Sequence, residues 1–154
     1  MISLPTTAQI ILDCRRELLE VIGPEVQSDA GKVSVQMLEN ILRNAATRAA
    51  HEIAWMREET ISMETFARDT LAAVPGTSVI TAALAALEAG PRQSLHLDDV
   101  ARVYSLAGEA FSCAIEEALG GRLAELAERG AALLAARSAT EVQIMGEWGF
   151  VGRG

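Results

Sequence analysis

Aromatic side chains are scarce: they make up 4% of the 154 residues, although half of all residues are hydrophobic. A core drawn mainly from Ala, Leu, Ile and Val suits packed helices, and Ala and Leu lose little on entering a helix. Alternating β-branched runs are few, so nothing predicts a sheet. Lysine is nearly missing too, Lys32 being the only one, and the formal net charge is -8. Such a chain is repelled by phosphate backbones and anionic lipid headgroups, which argues against nucleic acid and membrane surfaces as partners. No apolar run approaches the ~20 residues of a bilayer span. The opening MISLPTTAQI has no basic stretch and reaches a helix cap at once, unlike a secretory signal. The two cysteines, Cys14 and Cys113, lie inside helical patterns and are expected to be buried free thiols in a reducing cytoplasm.

The motifs that carry chemistry are also missing. A di-iron bundle needs Glu-x-x-His, but Arg48 stands three before His51 and Gln93 three before His96. His51-Glu52 begins like a zinc protease motif, yet Trp55 occupies the place of its second histidine. Gly120-Gly121 is followed by no lysine and forms no phosphate loop, and there is no serine elbow. No metal, cofactor or catalytic residue is assigned, and the chain reads as non-catalytic.

What is present is helical periodicity, and it predicts an all-α bundle of about five helices spanning 1–154 as a single domain. The first, 6–22, has Thr6 as cap, Gln9 as its capping-box partner, and a stripe of Ile10, Ile11, Cys14, Leu18 and Ile22, ended by Gly23-Pro24. Ser28 or Asp29 caps a long central helix over 32–73, broken off at Pro75-Gly76. Its main stripe is Val35, Leu38, Leu42, Ala45, Ala49, Ile53 and Met56, of which Leu38 to Met56 are expected to be buried together, and Met63, Ala67, Thr70 and Val74 continue it in phase. Thr60-Ile61-Ser62 is the place where this helix is most open to a kink. Helices over 78–89, 98–119 and 122–138 follow, capped by Thr77 or Ser78 and by Asp98 or Asp99. Ile80, Ala83, Leu84 and Leu87 pack in the first of these; Val103, Ala107, Phe111, Ala114 and Ala118 pack in the second. Helix 98–119 also carries a small-residue seam through Ala101, Ser105, Gly108 and Ser112. A Gly/aromatic tail with Trp148 and Phe150 closes the chain from about residue 140. Glu58-Glu59 and Glu116-Glu117 read as solvated faces.

The long helix has a second face. Met37, Ile41, Asn44, Arg48, His51 and Trp55 recur at spacings of four and three, a heptad seam. A helix with two contact seams is central in its bundle or shared between chains. Met37, Ile41 and Trp55 supply apolar contact for an interface, and a homo-oligomer is expected. The alternative is a ligand site, with Arg48 holding an anion, His51 moving a proton, Trp55 walling the pocket and Asn44 beside them.

The opening PTTAQIILDCRRELLEVIGPEV and the Asn- and Ala-rich LENILRNAATRAAHEI resemble a bacterial family of small helical proteins. Its members are encoded beside phosphotransferase-like kinases and acyl-CoA dehydrogenases. The resemblance covers about the first third of the chain. It implies an accessory partner of one of those enzymes and assigns no functional residues.

Overall fold

Thr6 opens the first helix as the sequence predicts. The chain is seen in a computed structural model that describes residues 4–121 and 123–145, and statements about its structure concern these residues. In α1 (Thr7–Glu17) the Thr6 hydroxyl accepts from the Gln9 N–H at 3.3 Å, and the Gln9 side chain accepts from the Thr6 N–H at 2.8 Å. Gly23-Pro24 does not stop this helix. Gly23 has a helical φ of -54° rather than a left-handed one. Pro24 has no N–H to donate, and the backbone widens just ahead of it: Leu18–Ile22 is a π-helical turn in which the Gly23 N–H reaches the Leu18 carbonyl. A short α2 (Gly23–Glu25) carries the proline in its first turn.

The long helix, α3 (Asp29–Ala73, 45 residues), starts earlier than predicted. Ser28 is its cap: the Ser28 hydroxyl accepts from the Gly31 N–H at 3.1 Å and its carbonyl accepts from the Lys32 N–H at 3.0 Å. Asp29 sits in the first turn, at the positive end of the dipole. No break occurs at Thr60-Ile61-Ser62. The Thr60 and Ser62 hydroxyls donate to the carbonyls of Met56 and Glu58 one turn back, so both are satisfied within the helix. After α3, Gly76 takes a φ of 96°, a conformation glycine adopts without a side-chain clash.

Then come α4 (Ser78–Glu88), α5 (Leu97–Gly120) and α6 (Ala124–Met145). His96 caps α5, and Asp98 and Asp99 fall in its first turn, where Asp99 accepts from the Ser94 hydroxyl at 2.7 Å. α6 runs on to Met145 instead of fading near Ser138. Trp148 and Phe150 of the expected tail lie outside the described residues. The fold is all-α, and no helix among the described residues is long and apolar enough to cross a membrane.

Two compact units make up the chain. Among the described residues, one holds 4–52 together with 141–145; the other is Ile53–Thr140. In the second unit the predicted stripes of α4 and α5 are buried, together with Met63, Ala67 and Thr70 of α3. Met63, Phe66, Ala67 and Thr70 of α3 meet Ile80, Leu84 and Leu87 of α4 and Val103, Ala107, Phe111 and Ala114 of α5. Phe66 and Phe111 pack edge to face with centroids 5.2 Å apart. The buried Thr70 hydroxyl donates to the Phe66 carbonyl at 2.9 Å, so its burial leaves no polar group unpaired.

The first unit departs from expectation. Leu18 and Ala46 are its buried apolar residues among those described. The predicted core of the long helix is not realised there: Leu38 is 49% exposed, Ala49 is exposed, and Leu42 and Ala45 are only half-buried. Ile53 and Met56, in the second unit, are half-buried as well. The least exposed line of α3 in the first unit keeps Val35 and Leu42 of that stripe but turns through Glu39 and Ala46. Arg15 of α1 docks on this line, its Nε donating to Glu39 at 2.8 Å. On α1 itself Ile10 and Cys14 are exposed, contrary to expectation, and Cys113 is half-buried.

Candidate functional surfaces

The second seam of α3 begins on solvent. Val33, Met37, Leu38 and Ile41 are 59%, 55%, 49% and 58% exposed. At 3.6 residues per turn these four fall within an arc of about 140°. That arc lies away from the Val35–Glu39–Leu42–Ala46 line, on which Arg15 of α1 docks at Glu39. Sequence reasoning found Met37 and Ile41 here. It missed Val33, one turn before Met37, and assigned Leu38 to the core. The polar continuation follows: Asn44 is half-buried, Arg48 and His51 are exposed, and Trp55, in the second unit, is half-buried. Arg48 is engaged along its own helix, both Nε and Nη2 donating to Glu52 Oε1. An exposed pair of this spacing contributes about 0.3–0.5 kcal/mol and leaves the guanidinium largely hydrated.

In the second unit, Glu64 is the hub of an ion cluster. Its carboxylate accepts from Arg92 (3.2 Å from Nη1, 2.5 Å from Nη2) and from Arg68 (3.0 Å from Nε, 2.8 Å from Nη2). Arg68 also pairs with Glu88 at 2.6 Å. Burial pushes the Glu64 carboxyl up, but hydrogen bonds from Arg92 and Arg68, together with their charges, outweigh it and hold the group below the usual carboxylate value. The Glu88 and Glu64 carboxylates in turn raise Arg68. The cluster fastens α3 to α4 and to the loop that follows it. Beside it lies a cavity of about 70 Å³ lined by Arg57, Thr60, Arg92, Ser94, Val100 and Val103.

A second cavity of about 100 Å³ opens between α3, α5 and α6. Met63, Phe111, Leu133 and Leu134 line it, and Glu59 and Arg137 are its charged members. Glu59 is not the solvated residue predicted: it is half-buried, and the Tyr104 hydroxyl donates to its Oε2 at 2.6 Å. The Arg137 guanidinium lies over the Tyr104 ring, 5.6 Å from its centroid. Tyr104 therefore holds a carboxylate by its hydroxyl and a cation by its face. No local pattern reveals this trio, whose members are contributed by three helices.

No protein-family model, curated protein or solved structure matches the chain.

Proposed function

We propose that this chain is a non-catalytic helical interaction protein of the bacterial cytoplasm, which self-associates through the open face of α3 and serves as accessory partner to an enzyme. The observation that carries this reading is the cluster of Val33, Met37, Leu38 and Ile41, each about half exposed and adjacent on one helix. Isolated surface leucines need no explanation, whereas a contiguous apolar patch marks a contact site. Burying the remaining half of such a side chain returns ~1 kcal/mol, hence ~4 kcal/mol per chain and ~8 kcal/mol for a two-fold pair. Association costs ~4–15 kcal/mol. The stripe alone therefore reaches only the threshold of stable pairing, and the seam beyond it, through Asn44 and Arg48, completes the contact. A two-fold pair is favoured because each contact then counts twice. The resemblance of the first third supports an acyl-CoA dehydrogenase or a phosphotransferase-like kinase as the enzyme served.

The test is Ile41→Glu. Ile41 is already 58% exposed, so the fold tolerates a charge there, while a two-fold interface buries two unpaired carboxylates. Sedimentation velocity is expected to show the variant as a monomer with an unchanged helical circular dichroism spectrum. A variant that associates as the parent chain does contradicts this use of the α3 face.

A further inference from the structure

We propose that the cavity between α3, α5 and the loop joining α4 to α5 binds a short-chain monocarboxylate, with its aliphatic tail against Val100 and Val103 and its carboxylate on Arg57 and Arg92.

The inside of this cavity is apolar. Val100 and Val103 of α5 are buried and line it. Thr60 of α3 is buried beside them, but its hydroxyl proton is committed to the Met56 carbonyl at 2.7 Å. Ser94 of the loop is committed as well: its hydroxyl donates to Asp99 at 2.7 Å and accepts from the His96 N–H at 3.2 Å. Neither hydroxyl is left to donate to an anion. The donors that remain on the lining side chains are guanidinium N–H groups. Arg57 is exposed and Arg92 is half-buried, which puts them at the mouth of the cavity. Among the described residues Arg57 forms no ion pair, and its hydrogen bond to the Ser94 carbonyl is long at 3.5 Å. Arg92 gives Nη1 and Nη2 to Glu64, which fixes the plane of its head group. A guanidinium has five N–H donors, so both arginines keep donors for a carboxylate.

Size and charge decide among ligand classes. An apolar cavity of ~150 Å³ holds a six-carbon ring, so about 70 Å³ takes roughly three carbons. Such a tail ending in a carboxylate is butyrate. Glu64 balances Arg92, so the charge left for a ligand to neutralise is that of Arg57. An alkylamine meets the repulsion of two guanidinium groups, and an alcohol brings no charge to Arg57. Inorganic phosphate turns oxygens toward Val100 and Val103, where no donor receives them. A dicarboxylate buries its second charge against the same walls. A few convergent polar groups over an apolar floor suit a ligand that is oriented as well as buried. The inference is independent of self-association, because every residue it uses belongs to the second unit.

The experiment is a titration of the full chain with sodium butyrate, against sodium chloride at equal ionic strength, followed by the methyl resonances of Val100 and Val103. Saturable shifts are expected in the millimolar range that suits so small a ligand. Butan-1-ol, butylamine and inorganic phosphate are each expected to bind about tenfold or more weakly, as is hexanoate, whose tail is too long for the cavity. Arg57→Gln is expected to weaken butyrate by a similar factor. Arg57 is exposed, so this variant keeps the fold, and a thermal melt verifies that it does. Val103→Leu, which adds a carbon to the wall, is expected to prefer propionate to butyrate. Absence of saturable binding of acetate, propionate and butyrate overturns the proposal. So does the alcohol, the amine, hexanoate or phosphate binding as tightly as butyrate, butyrate affinity unchanged in Arg57→Gln, or a Val103→Leu variant that still prefers butyrate.

Discussion

Glu64 shows how one half-buried carboxylate organises its neighbours. Its side chain is 12% exposed and takes hydrogen bonds from two guanidinium groups. Its folded pKa is depressed, so the stability it provides is fully present above the unfolded value of about 4.3 and is lost as pH falls through the folded value. Glu64→Gln is expected to lose about 1–2 kcal/mol at pH 7, near the low end for hydrogen bonds to charged groups, because Arg92 and Arg68 are partly exposed and rehydrate. Glutamine does not titrate. Urea melts at pH 7 and at pH 3 are therefore expected to show the gap between parent and variant shrinking in acid, and an equal gap at both pH values contradicts the role given to Glu64. Only part of the cluster was legible from sequence. The Glu64–Arg68 spacing of four is a standard helical pair, whereas Arg92 lies 28 positions away and Tyr104 lies 45 from Glu59. Contacts of that reach depend on how helices pack, and periodicity carries no record of it.

Among the helical elements, two glycines separate propensity from packing. Gly108, inside α5, has open space where a Cβ would stand, so Gly108→Ala is expected to gain roughly 0.5–1 kcal/mol from helix propensity alone. Gly130, inside α6, would place its Cβ 3.1 Å from Ile115 and 3.2 Å from the Phe66 ring. Phe66 is 1% exposed and pinned by Phe111, so it has nowhere to retreat. Overpacking of about 1–3 kcal/mol then outweighs the same propensity gain, and Gly130→Ala is expected to destabilise. Opposite shifts in thermal midpoint check this; two stabilised variants show that α6 is more loosely seated than described. The elements themselves were readable wherever the signal is local. Thr6 and Gln9 announce a capping box, and the unbroken phase from Met63 to Thr70 announces a continuous helix. The π-helical turn was not readable. Gly-Pro ends a helix only if glycine turns left-handed, and Gly23 keeps helical angles.

At the scale of the molecule, apolar periodicity identified faces able to be buried without saying which of them find a partner. In the second unit α3, α4 and α5 meet one another's stripes, and the predicted residues of α4 and α5 are buried, with Met63, Ala67 and Thr70 of α3. In the first unit α1 offers one short strip, so Leu38 and Ile41 of α3 and Ile10 of α1 remain on solvent. Leu38, expected in the internal core, instead joins Val33, Met37 and Ile41 on the face proposed to pair two chains. Light scattering on the unmodified protein, from about one to a hundred micromolar, tests this most directly, since the burial estimate above places pairing near its threshold. Pairing through α3 gives a mass that rises with concentration to twice that of the 16.4 kDa chain. A mass that stays at one chain throughout that range contradicts it.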